Sequence, residues 1–255
     1  TALATQQAEG WFPELRGMDF GYSALIVDYL GHYGRRMGMQ TVADPARRLV
    51  GFLLPHMHPD LTLAAEAGTC RNAYAGQAGY VLLAPQVADA AAIARRLASL
   101  TVDASRARMS AYLVDELRLA RWSILPLLGA LAFRESPDLG EAAPLERPRG
   151  WTVHRAAGVA AYHDGDLHVH FPYAGGAVTR VFAGDRLLLT DLGVTGRSGD
   201  DGVTSLSYRQ DRGVKVAPDS MVVQIALAQP GYFYPGFLQR LVLRLGAASA
   251  WSARW

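Results

Sequence analysis

Apolar residues change their period once along this chain, and that change limits the fold more than any other feature. Up to about residue 133 they recur every three or four positions; beyond residue 150 they alternate with polar ones. Helices gathered in one half and strands in the other predict an α+β protein in two parts, rather than alternating β–α units around a parallel sheet. The expected division is residues 1–145 for the helical part and 151–255 for the strands, the latter ending in a helical tail.

From Tyr22 the positions Leu25, Ile26, Tyr29, Leu30, Tyr33 and Met37 share one helical face, which is expected to be buried, with Gly34 and Gly38 closing the helix. Asp44-Pro45 then offers a cap and a first-turn proline. The stripe Ala46, Leu49, Val50, Leu53 and Leu54 follows, and Pro55 stops it. A glycine-rich loop is expected from His56 to Gly79, with further helices near Pro85–Leu100, Asp103–Leu119 and Arg121–Phe133. Helix packed on helix is the implied arrangement. Prolines, glycines and acidic residues gather between 135 and 150, as in a linker.

Past the linker, Asp164-Gly165 and Gly184-Asp185 are hairpin signals between short strands. Further strands are expected at Val203–Arg209, Val214–Val216 and Met221–Leu227, and a helix at Pro235–Leu245. Eight or so short strands with such turns describe an antiparallel β-sandwich. Leu167, Val169 and Phe171 alternate with His168 and His170, so the two histidines share a face. With His154 and His163 they are expected to form an exposed polar strand surface, and no metal or other cofactor is expected.

Charge excludes more than it suggests. A net charge of +2 in 255 residues gives no field that would demand nucleic acid, and none is expected as a partner. Lys215 is the sole lysine among 25 basic residues. Cys70, being alone, cannot close an internal disulfide and leaves the redox compartment open. The start at Thr1 is expected of a chain whose upstream portion is missing, and that portion is a natural partner for the helical part.

Chemistry concentrates between residues 9 and 22. Trp11 and Phe12 can stack on the apolar faces of sugar rings, while Glu14, Asp19 and Tyr22 can bond ring hydroxyls. The same residues could instead plug a core and cap the following helix. A second group runs from His56 and His58 through Arg71, Asn72 and Tyr74. Arg71 and Asn72 are donors suited to neutralising a substrate carboxylate. His58 joins them as a catalytic candidate, although both histidines lie where they could cap carbonyls at a helix end.

Gly10, Glu14 and Gly21-Tyr22, followed by an apolar helix containing Asp28-Tyr29-Leu30, resemble a segment of heparinase II/III-like and alginate-lyase-related polysaccharide lyases. The resemblance implies an α/α toroid, of which this chain would hold the later part, followed by an antiparallel β-sandwich. It also implies β-elimination on a uronic-acid-containing polysaccharide, with Tyr22 in the role of the family's tyrosine. A phenol has an ordinary pKa of about 10, so that role needs a cation beside it. Leu187–Gly193 resembles the family's strand and turn after a histidine motif, yet the motif's own position reads Tyr173-Ala174-Gly175-Gly176-Ala177-Val178. Either His168 or His170 replaces the missing group, or the reaction is lost; loss is the expectation. The alternative function is then a non-catalytic relative that binds or guides an acidic polysaccharide. A hydrolase using Glu14 and Asp19 is a further possibility whose stereochemistry would follow from their separation. A polysaccharide ligand places the chain in the periplasm or outside the cell.

Overall fold

The computed structural model describes residues 2–14, 17–64, 77–102, 128–135, 139, 145–175, 178–191, 193, 195–198, 201–204, 214–218 and 220–224. Helices α1 (Phe20–Met37), α2 (Ala43–Leu53), α3 (Gln77–Leu83) and α4 (Ala88–Val102) come first, then α5 at residues 128–135. Strands follow: β1 (Gly150–His154), β2 (Val159–Asp164), β3 (Leu167–Phe171), β4 (Thr179–Ala183) and β5 (Arg186–Asp191). These five make one antiparallel sheet in the order of the chain. Hairpins β6–β7 (Thr195–Ser198, Asp201–Thr204) and β8–β9 (Val214–Ala217, Ser220–Val223) are separate pairs. The protein is thus mixed α and antiparallel β, as the change of period requires.

α1 buries a different face from the expected one. Tyr29, Tyr33 and Met37 are exposed, while Phe20, Gly21, Ala24, Val27, Gly31 and Gly34 face inward. The reason is close approach. A Cβ on Gly31 would stand 3.0 Å from Gly79 Cα, and one on Gly79 would stand 2.6 Å from the Asp28 backbone. Small residues let α1 and α3 touch backbone to backbone, and Gly79 N–H donates to Asp28 Oδ1 at 2.7 Å. α3 begins inside the segment read from sequence as loop (His56–Gly79) and runs on past its end, and Gly79, read there as a loop residue, serves this contact. α2 matches its stripe: Ala46, Leu49, Val50, Leu53 and Leu54 are all buried. Its N-cap residue is Val42, with Asp44 in the first turn.

The β2–β3 and β4–β5 turns fall where the glycines put them, with Gly165 and Gly184 at φ +55. β5 is exposed along its whole length. The expected helices at 103–119 and 235–245 lie outside the described residues, as do 136–138 and 140–144 of the linker.

Candidate functional site at the helix–sheet joint

The short 3-10 turn Leu54–His56 after α2, where Pro55 blocks the helix, delivers His56 and then His58 to the face of the sheet. The sheet answers with histidines of its own. Residues paired across an antiparallel ladder point the same way, so the pairs His154–Val159, His163–His168 and His170–Arg180 place four imidazoles and Arg180 on one face. That face is the inner one. His163, His168 and His170 are buried, at 6%, 2% and 0% exposure, whereas Leu167 is exposed. The expected exposed polar strand surface is therefore corrected: the histidines form the buried side and the leucine side faces water.

Six of the seven histidines meet here. Ring contacts link them without a break: His154 to His56 at 5.0 Å between centroids, His56 to His170 at 5.4 Å, and His170 to His58 at 5.9 Å. The line continues from His58 to His168 at 6.3 Å and from His168 to His163 at 4.4 Å. Phe52 and Phe20 flank one end and Phe182 the other. Phe20 opens α1, so the N-terminus of that helix rests on the layer.

Hydrogen bonds fix the proton positions at one end. The Pro55 carbonyl can only accept, so the 2.9 Å contact to His163 Nε2 makes that nitrogen the donor. His163 Nδ1 then carries a lone pair and accepts from His168 Nδ1–H at 3.0 Å. His168 Nε2 is left as a bare lone pair, buried and without a hydrogen-bond partner. At the other end, His56 Nε2 and His154 Nδ1 share one proton across 2.7 Å, and His56 Nδ1 has no partner. His58 Nδ1 meets the Thr62 hydroxyl at 2.9 Å, and that hydroxyl donates to Asp60. Arg147 crosses the edge of the layer, donating to the Met57 and His58 carbonyls.

Burial favours the neutral rings. It pushes His163 down to about 4, against the opposing pull of the Pro55 carbonyl and with help from Arg147 and His170. His168 is lowered further, by burial and then by His163, His170, Arg147 and His58. His56 falls well below the ordinary value, through burial first and the neighbouring imidazoles second. His154 is lowered by burial, with Glu9 pulling the other way. No group of three or more His, Cys, Asp or Glu side chains among the described residues is arranged to hold a metal ion.

No family model, no curated protein and no solved structure matches this chain.

The sequence-nominated residues divide three ways. Trp11 and Phe12 are buried at 3% and 6% exposure within the helical core, so their faces are occupied and not open to a sugar. The Trp11 indole donates to Glu9, whose carboxylate also accepts from Ala156 and Ala157 N–H and so ties the N-terminal loop to the β1–β2 turn. Asp19 is buried and caps α1, accepting from Tyr22 N–H at 3.0 Å. His58 belongs to the imidazole layer. These four are structural where a ligand-facing role was expected. Glu14 and Tyr22 remain partly exposed, Glu14 beside the tight loop it closes with Gly17. Arg71, Asn72 and Tyr74 lie outside the described residues, as does Cys70. What sequence reasoning missed is the joint itself. Its signal was present: histidines two apart in each half, at His56/His58 and His168/His170, which must meet if helices cover the sheet.

Proposed function

We propose that this chain binds an acidic, uronic-acid-containing polysaccharide through a lyase-like build, an α/α-toroid-like helical region leading into a β-sandwich. The observation that carries the reading is the placement of Tyr22. Asp19, Phe20, Gly21, Ser23 and Ala24 around it are all buried, and Tyr22 alone keeps access to solvent at the capped start of α1. Glu14 keeps partial access on the same N-terminal segment. A phenol held at a rigid helix start suits the recognition of ring hydroxyls.

Binding without cleavage is the preferred form. β-Elimination needs a base for the C–H beside the uronate and an acid for the leaving oxygen. His168 and His170, which could have replaced the absent strand histidine, are sealed in the joint. The exposure of Tyr22 favours the catalytic form as the second reading, with Arg71 and Asn72 steering the carboxylate.

Incubation with a panel of polyuronates separates the two. Retained binding with no ultraviolet absorbance from an unsaturated sugar end supports the binding protein, and Tyr22→Ala should weaken that binding about tenfold, worth about 1.4 kcal/mol. Growth of the absorbance, abolished by Tyr22→Phe, establishes the lyase. Failure to bind any polyuronate overturns both.

A further inference from the structure

We propose that the imidazole layer is a proton-operated joint, closed while its rings are neutral and opened as one unit when they are protonated, so that acidification parts the sheet from the helical region before either loses its own fold. The claim rests on the wiring and is independent of the carbohydrate reading. His163 and His168 face each other through one proton; adding a second puts two N–H groups head to head at 3.0 Å. The first pair cannot escape by tautomer exchange, because the Pro55 carbonyl holds a proton on His163 Nε2. A proton on His168 Nε2 would sit in a dry position with no acceptor. His56 and His154 likewise share one proton at 2.7 Å, and a second proton between them would set two N–H groups head to head. The His163–His168 pair, locked at both outer nitrogens, holds only in the neutral state.

The surroundings do little to absorb added charge. From the turn after α2 the layer meets His56 and His58; from β1, His154; from β2, His163; from β3, His168 and His170; and from β4, Arg180. Arg147 lies across its edge and repels His163 and His168. The carboxylates nearby are Glu9, which favours a charged His154 but is engaged by the Ala156 and Ala157 amides, and Asp60, reached from His58 through Thr62. Rings that stay neutral while the joint is closed and take up protons only once it is open bind several protons in the one opening step, and this makes that step steeper than a single titration. Helices α1 to α4, held by apolar packing and the α1–α3 contact, carry one histidine among their described residues, His32, and it is exposed.

The test is amide hydrogen exchange and imidazole ¹⁵N resonances of the full chain, followed from about pH 8 to about pH 4. Expected is a joint loss of protection at residues 54–58 and 159–171 in one step steeper than a single titration, reversed on neutralisation, with α1 and α3 amides still protected. His163→Gln, which can still donate to the Pro55 carbonyl, should move that step to lower pH and make it shallower. His32→Gln, on the exposed side of α1, should leave it in place. Imidazoles that titrate one at a time with the joint still protected would overturn the proposal. So would simultaneous loss of the helical amides, or an unmoved step in folded His163→Gln. Should that variant not fold, the wild-type resonances and exchange decide alone.

Discussion

The α1–α3 contact and the helix–sheet joint are buried to the same degree and held by opposite means. Between α1 and α3 the backbones touch because Gly31 and Gly79 have no side chains, and a single buried carboxyl, Asp28, accepts the Gly79 N–H. At the joint, large polar rings fill the space and are kept neutral by their burial. One contact is specified by size, the other by protonation. They also answer to acid with opposite signs. Burial raises Asp28 above its ordinary 3.8, so its share of stability is full below that value and lost as pH rises through the raised one. His56, His154, His163 and His168 are lowered, so their share is full above 6.5 and lost as pH falls.

The steric contact should break hardest. A Cβ at Gly79 would fall 2.6 Å from Asp28 N and Cα and Val27 C, backbone atoms that cannot yield without displacing α1. Gly79→Ala should cost about 3 kcal/mol in denaturant unfolding, the upper range for overpacking. Gly51→Ala, an exposed position in α2 with nothing within 4 Å, should instead gain up to about 1 kcal/mol. Equal effects at the two glycines would show that α1 and α3 do not meet at Gly79.

The joint should respond next. Taking His163 from 6.5 unfolded to about 4 folded, the unfolded chain binds the extra proton across that window. Stability should fall by on the order of 2–3 kcal/mol from this ring alone between pH 6.5 and 4, and stay flat above. His56, His154 and His168 add to the same slope. Thermal unfolding measured across that range checks it, and a stability that is level down to pH 4 would mean the rings are solvated.

These two regions also mark how far the sequence could be read. The change from a three-to-four period to a two period does give helices first and an antiparallel sheet second, and the glycine turns at 165 and 184 set the hairpins. Which face is inside is another matter. Apolar side-chain area ranks Tyr29 and Tyr33 above Gly31, and Leu167 above His168, yet in both cases the lower-ranked residue is the buried one. Glycine is buried for the approach it permits, and histidine for the partner it finds; neither property belongs to a residue in isolation. Three of the site candidates are buried for a related reason. Trp11, Phe12 and Asp19 have side chains that could serve a ligand, and the core and the helix cap use them first.

Asp28 refines the contrast at smaller scale. Asp28→Asn keeps an acceptor for Gly79 N–H and removes the buried charge, so stability at neutral pH should stay within about 1 kcal/mol of the parent. Asp28→Ala orphans that buried amide and should cost about 2 kcal/mol. A loss in Asp28→Asn as large as in Asp28→Ala would show that the amide cannot stand in for the carboxyl at this contact.

The least effect is expected at Asp19, where α1 begins above the joint. Its carboxylate accepts from Tyr22 N–H, and replacing it with alanine should cost about 1 kcal/mol, the ordinary worth of a helix cap. Asp19→Asn should cost only a few tenths, since asparagine caps as well. The pair also tests the placement of Tyr22, because the cap fixes the turn from which the phenol projects. If Asp19 acts only through that turn, polyuronate binding should fall with Asp19→Ala and survive Asp19→Asn, in step with stability. Binding lost in Asp19→Asn while stability holds would mean the carboxylate reaches the ligand itself, and the buried cap would then have to open for it.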